Sequence, residues 1–191
     1  MAWRSVDGEH RADRSIPSYR TLITGMFTPG RLLRLLGSYL FFQDTPSGPR
    51  KILAAYHQFF AVEKALAQTR RATAEDGDRR IGVVWHTQGS GKSLSMVFYV
   101  HQLFADPMLS NPTIVVITDR NDLDDQLYQT FASSSEYLLG LPQHAESRTH
   151  LKTLLNGRTS GGMIFTTIQK FEPDEGCETV DPLTQRRNVI V

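Results

Sequence analysis

Apolar residues recur in two rhythms along this chain. In the first part they keep helical spacing. Leu32, Leu35, Leu36, Tyr39 and Leu40 follow i, i+3, i+4, i+7, i+8, which is one stripe of a helix. Thr28-Pro29 just ahead reads as an N-cap and a first-turn proline. Residues 19–27 suit a short helix, whereas residues 1–17 are polar, without a period, and read as irregular. Pro46, Gly48 and Pro49 make 44–49 a loop. A second helix is expected from about residue 51 to 73, burying Ile52, Tyr56, Phe59, Val62 and Leu66. The charged segment 70–80, with Glu75-Asp76-Gly77-Asp78, then reads as a surface connection.

From residue 81 the rhythm changes. Residues 81–85, Ile-Gly-Val-Val-Trp, read as a buried strand, and 94–104 as a nearly all-apolar helix stopped by Pro107. Residues 113–118, Thr-Ile-Val-Val-Ile-Thr, form a second apolar run. Leu123, Leu127 and Phe131 mark a helix over 121–131. Leu151, Leu154 and Leu155 mark another, closed by Asn156-Gly157. Residues 162–166 and 188–191 are further strand candidates. Apolar strands separated by helices predict a parallel sheet in an α/β layer. The expected organisation is a helical lead-in over 1–75 and a partial α/β domain over 76–191.

Composition adds little constraint. A chain of 191 residues with 40% hydrophobic and 21% charged positions is ordinary for a globular protein. A net charge of +1 gives no global attraction to nucleic acid or membrane, so any such contact must be local. The single cysteine, Cys177, excludes an internal disulfide, reads as a spare thiol and suits a cytoplasmic setting. The first residues lack the apolar core of a signal peptide, and no apolar run approaches the length of a membrane span.

The candidate chemistry lies at residues 85–93, Trp-His-Thr-Gln-Gly-Ser-Gly-Lys-Ser. Strand, Gly-rich turn, Gly-Lys-Ser and helix is the order of a phosphate-binding loop, as in the RecA-like P-loop NTPases. Gly89 and Gly91 open backbone conformations closed to other residues, so successive N–H groups can face an anion above a helix start. Thr87, Gln88, Gly89, Ser90, Gly91, Lys92, Ser93 and Leu94 are therefore the expected nucleotide-binding residues. Lys92 supplies a charge for the β- and γ-phosphates and is the catalytic candidate. The Ser93 hydroxyl suits Mg²⁺, with a plain N-cap as the competing role. The first glycine of the usual pattern falls on His86, which reads as a strand-end histidine satisfied by backbone. Asp119, Asp122, Asp124 and Asp125 read as a solvated helix start favoured by the macrodipole rather than a metal cluster. Thr118, Arg120, Thr166, Thr167 and Lys170 fall at strand ends, where ligands of open α/β sheets gather.

These stretches together resemble the motor domain of the restriction (R) subunit of type I restriction-modification enzymes, helicase-like translocases of superfamily 2. The form His86-Thr87-Gln88-Gly89-Ser90-Gly91-Lys92-Ser93 is usual there. Residues 56–62, Tyr-His-Gln-Phe-Phe-Ala-Val, look like its Q motif, which implies that Gln58 reads the adenine edge. Residues 116–124 resemble helicase motif Ia, and 165–171 the segment that follows. The resemblance implies ATP and Mg²⁺ as cofactors. It implies duplex DNA as partner, touched by the strand-end residues above, with methylation and specificity subunits completing the complex. It also implies an Asp-Glu-Ala-His box after a strand like 188–191. The sequence reaches Val191 without it, and neither Asp119 nor Glu172 has the spacing of a substitute. A fragment with no turnover or DNA cleavage of its own is the corresponding expectation. Another superfamily 2 helicase or repair ATPase, a P-loop small-molecule kinase, and a remnant without turnover are the alternatives that the residues leave open.

Overall fold

The computed structural model of the chain describes residues 3–13, 15–171 and 182–191. Cys177 and Glu172 lie outside the described residues. The backbone groups into two compact units, Met1–Gln102 and Leu103–Val191.

The first unit contains α1 (Ser18–Met26), α2 (Pro29–Ser38), β1 (Leu40–Gln43), β2 (Arg50–Leu53), α3 (Tyr56–Thr73) and most of α4 (Lys92–Ala105). β1 and β2 form an antiparallel hairpin in which Phe41 faces Ile52. This hairpin corrects two helical expectations. Leu40 lies in β1, beyond the end of α2, and Ile52 is buried in β2 rather than on α3. Two four-residue strands flanking a Pro/Gly loop are too short to show their period-2 alternation against a helical stripe. The core is aromatic. Tyr39 lies 4.9 Å from Phe59 of α3 and 5.6 Å from Phe98 of α4, ring centre to ring centre. Trp3, in the segment expected to be irregular, is fully buried beside Tyr56, Phe59 and Phe60. Tyr39 also donates its hydroxyl proton to Glu63, which pairs with Arg34 at 2.9 Å. The Gln102 amide donates to the Ser38 carbonyl at 3.0 Å and ties α4 to the end of α2.

The expected strand over 81–85 does not form; residues 80–87 carry no regular structure. Gly82 takes φ +103°, which breaks the extended run. No ladder among the described residues reaches this segment, and a strand without lateral partners leaves its N–H and C=O groups unpaired. Val83 and Trp85 are 93% and 87% exposed.

The second unit holds the sheet. Its strands are β3 (Thr113–Thr118), β4 (Gln143–His144), β5 (Met163–Thr167) and β6 (Val189–Ile190), ordered β4-β5-β3-β6. All three pairings are parallel, as expected of a buried α/β sheet. Successive side chains on a strand face opposite sides. On one side Val115 and Ile164 pack with Leu151 and Leu155 of α7 (Arg148–Asn156). On the other, Phe165 meets Tyr128 and Phe131 of α5 (Asn121–Ala132). The short α6 (Ser135–Leu138) follows α5. No helix among the described residues is long and apolar enough to cross a membrane.

Phe165 is fully buried between β5's neighbours and α5. Phe165→Ala should therefore cost about 3–5 kcal/mol in urea unfolding. Met108→Ala, at an exposed side chain, should stay within about 0.5 kcal/mol. Equal midpoints for the two variants would contradict this packing.

Candidate nucleotide-binding site

The loop over 86–91 leads straight into α4, whose first residue is Lys92. Gly89 and Gly91 both take left-handed backbone angles, φ +76° and +79°. At Gly91 the requirement is double, because a Cβ there would lie 2.8 Å from Nε2 of Gln58. Within α4 the first backbone bond runs from the Ser95 N–H to the Gly91 carbonyl at 3.0 Å. The N–H groups of Gly91, Lys92, Ser93 and Leu94 therefore carry no hydrogen bond among the described residues. Four adjacent free donors at a helix start form a cradle for an anion.

The first turn of α3 holds this loop from behind. Gln58 is buried, and its amide is used at both ends. Oε1 accepts from the Ala55 N–H at 2.9 Å, while Nε2 donates to the Gly91 carbonyl at 3.0 Å. The first bond is half of a capping box; Ala55 has no side-chain oxygen to supply the other half. His57 reaches the neighbouring carbonyl, with Nε2 3.0 Å from the oxygen of Ser90. His57 was not among the expected site residues; its place beside Gln58 in a helix's first turn was the available signal.

Lys92 is exposed, and its ammonium donates to the carbonyls of His86 and Thr87 at 3.2 and 3.1 Å. Its charge is thus held by the loop itself. Ser93 lies inside α4's first turn, which rules out the N-cap role, and its hydroxyl makes no hydrogen bond among the described residues. Thr87, Gln88, Gly89, Ser90 and Leu94 all belong to the same loop and first turn. The Ser90 hydroxyl is buried with no partner among the described residues. His86 departs from expectation: its Nδ1 is buried and, among the described residues, unbonded rather than satisfied by backbone. Burial, reinforced by His57 and Lys92, pushes its pKa down.

The strand-end residues of the second unit divide. Thr118 gives its hydroxyl proton to Asp124 at 3.1 Å. Asp124 is only 5% exposed and also faces Nε2 of His144 at 3.0 Å. This corrects the reading of Asp124 as a solvated helix-start carboxylate; it is a buried carboxylate of α5 that accepts from Thr118 of β3 and lies against His144 of β4. Thr166 and Thr167 lie within β5, both buried, and present no surface to a DNA backbone in this structure. Arg120 is exposed and pairs through two nitrogens with Asp122, which raises its own pKa and lowers that of the carboxylate. Lys170 is half-buried on the turn after β5, beside Gln169, whose amide donates to the Asp119 carbonyl at 3.0 Å. Among the described residues no group of three or more His, Cys, Asp or Glu side chains could hold a metal ion.

A parallel α/β sheet, and a Gly-rich loop opening a helix at Lys-Ser, define a protein of the P-loop class. The profile of the SWI2/SNF2 ATPase family matches residues 57–191, and the chain belongs to that family. It is 46% identical over 99% of its length to the type I restriction enzyme HindI endonuclease subunit of Haemophilus influenzae, covering 18% of that protein. A provisionally named type I restriction enzyme MjaIXP endonuclease subunit of Methanocaldococcus jannaschii is 38% identical over 89% of this chain and 16% of its own length. The SauCOLORF180P endonuclease subunit of Staphylococcus aureus is 28% identical over 84% of this chain and 16% of its own. The chain thus spans less than a fifth of the curated relatives it matches.

The depressed pKa of His86 has a consequence for stability. A histidine that binds its proton less readily when folded stabilises the fold above its ordinary pKa of 6.5. That contribution is lost as pH falls below 6.5 towards the folded value. Melting temperature should therefore drop more between about pH 7 and pH 5 in the wild type than in His86→Gln. Parallel curves would remove the desolvated environment assigned to His86.

Proposed function

We propose that this chain is the ATP-binding part of the DNA-translocating motor of a type I restriction endonuclease R subunit. In the complete enzyme, ATP hydrolysis would drive duplex DNA past the complex before cleavage. Residues 76–191 belong to its first RecA-like lobe and residues 1–75 to a helical lead-in. The observation that carries this reading is the row of free N–H groups from Gly91 to Leu94 beside Lys92. Triphosphate oxygens are the anions that such a row and an adjacent ammonium suit. Lys92 exchanges its two loop carbonyls for β- and γ-phosphate oxygens. The residues also fit Mg²⁺. The unengaged Ser93 hydroxyl offers one hard oxygen, and Mg²⁺ takes its other ligands mainly from phosphates and water. The ion, when bound, would neutralise charge on the transferred phosphoryl group. Gln58 keeps one amide proton and one lone pair beyond its two backbone bonds, enough for one adenine edge contact.

For DNA, Arg120 and Lys170 are the expected phosphate contacts, with Arg120 released from Asp122. Thr118, Thr166 and Thr167 shape the strand ends beneath them. Methylation and specificity subunits are the expected partners and the cytoplasm the expected setting. Similarity to type I endonuclease subunits supports these assignments.

Lys92→Ala should weaken ATP binding by roughly 1.5–3 kcal/mol, the worth of a charge-assisted bond. Calorimetric titration of both proteins measures it, and equal affinity with the fold intact contradicts the site. With a net charge of +1, duplex binding should be weak, indifferent to sequence and steeply salt-dependent. Fluorescence anisotropy with several duplexes at rising salt tests this, and tight binding to one sequence would overturn it.

A further inference from the structure

We propose that His57 is a positioning residue of the phosphate cradle: its Nε2–H holds the Ser90 carbonyl and thereby fixes the Gly91 N–H toward the bound phosphate. The inference rests on the nucleotide reading of the loop and assigns a role that the reading itself leaves open.

The argument begins with the peptide unit. A trans peptide is planar, with C=O and N–H pointing in opposite directions. Whatever holds the carbonyl of Ser90 therefore aims the N–H of Gly91. His57 Nε2 lies 3.0 Å from that carbonyl. A carbonyl only accepts, so Nε2 must carry the proton. The next peptide is held in the same way by Gln58, which donates to the Gly91 carbonyl at 3.0 Å and so aims the Lys92 N–H. Consecutive residues of α3 thus hold consecutive carbonyls of the loop on one side. The left-handed φ of Gly91, +79°, lets the two N–H groups turn together to the other.

Without the His57 donor the Ser90–Gly91 peptide has an alternative. This peptide rotates about ψ of Ser90 and φ of Gly91, and Gly91 has no Cβ to oppose the turn. A flip would replace a donor with an acceptor facing an anion. The Ser90 side chain gives no help, because its hydroxyl is buried without a partner among the described residues. The imidazole is itself kept in orientation. Tyr56 stands edge-on to it at 5.4 Å, and His86 edge-on at 5.4 Å on the loop. Among the described residues the titratable or charged groups around this ring are Tyr56, His86 and, next to His86, Lys92. None of them is a carboxylate that would draw the proton to Nδ1.

Two measurements on the 191-residue chain test the proposal. The first is long-range ¹H–¹⁵N correlation of the imidazoles in the wild type, which reads the tautomer without any mutation. Nε2–H at His57 is expected at pH 7.5; the Nδ1–H form overturns the proposal. The second is calorimetric affinity for ATP and for pyrophosphate, which lacks the adenosine. His57→Phe keeps a ring against Tyr56 and His86 but has no donor. It should weaken both ligands by about fivefold, the worth of one neutral hydrogen bond. His57→Gln, which can place an N–H near the same carbonyl, should recover to within about twofold of wild type. A merely structural histidine would not distinguish these variants at equal melting temperature. Wild-type affinity in His57→Phe, or equal weakness in both variants, overturns the proposal. If wild type and Lys92→Ala bind neither ligand, the nucleotide reading fails and takes the proposal with it. The tautomer then still shows whether the histidine bond exists. Should His57→Phe fail to fold, the tautomer decides.

Discussion

A loop that receives an anion through its N–H groups must send its C=O groups elsewhere. Here they go to the first turn of α3. Gln58 takes the Gly91 carbonyl and anchors its own oxygen on the Ala55 N–H, and His57 sits against the carbonyl of Ser90. The donors are free because they open a helix, and the first two are aimed because the carbonyls of Ser90 and Gly91 are held from α3. The glycines follow from the same constraint. Gly91 needs a left-handed φ to turn its peptide and needs to lack a Cβ to admit Gln58 at 2.8 Å. A side chain there would be strained twice.

The tie to α3 is worth having only if α3 stays put relative to α4. The aromatic core of the first unit sees to that. Tyr39 packs between Phe59 of α3 and Phe98 of α4, and its hydroxyl is fixed by Glu63. Further along α3, Thr69 and Tyr99 of α4 bond hydroxyl to hydroxyl. Trp3 covers the start of α3 through Tyr56, Phe59 and Phe60. Helix α3 thus backs the Gly-rich loop within the first unit. In the second unit the buried Asp124 does comparable work, joining the end of β3 through Thr118 to the edge strand through His144.

The long, strongly patterned elements were legible in the sequence. α3, α4, α5, α7 and the strands β3, β5 and β6 fall within a few residues of where apolar spacing places them. The loop at Gly89, Gly91, Lys92 and Ser93 was legible as well, in so far as the structure brings these residues together at the start of α4. The strands β1, β2 and β4 were not legible. The β1–β2 hairpin hid inside two helical stripes, because four residues cannot separate period 2 from period 3.6. Residues 81–85 have a strand's composition, but pairing is a property of neighbours, and no neighbour reaches them among the described residues. Gln58 looked like the edge of a helical stripe; its two backbone bonds come from residues 3 and 33 positions away. Asp124 looked like any helix-start acid until His144, on a distant strand, buried it.

The central claim is that the amide row from Gly91 to Leu94 is the seat of the nucleotide's phosphates. The most direct measurement is a ¹H–¹⁵N titration of the chain with ATP and Mg²⁺, followed amide by amide. The account predicts large downfield proton shifts at Gly91, Lys92, Ser93 and Leu94, saturating together, with the strand-end amides of Thr118 and Thr167 unmoved. Saturating shifts elsewhere, with those four amides unchanged, would contradict it.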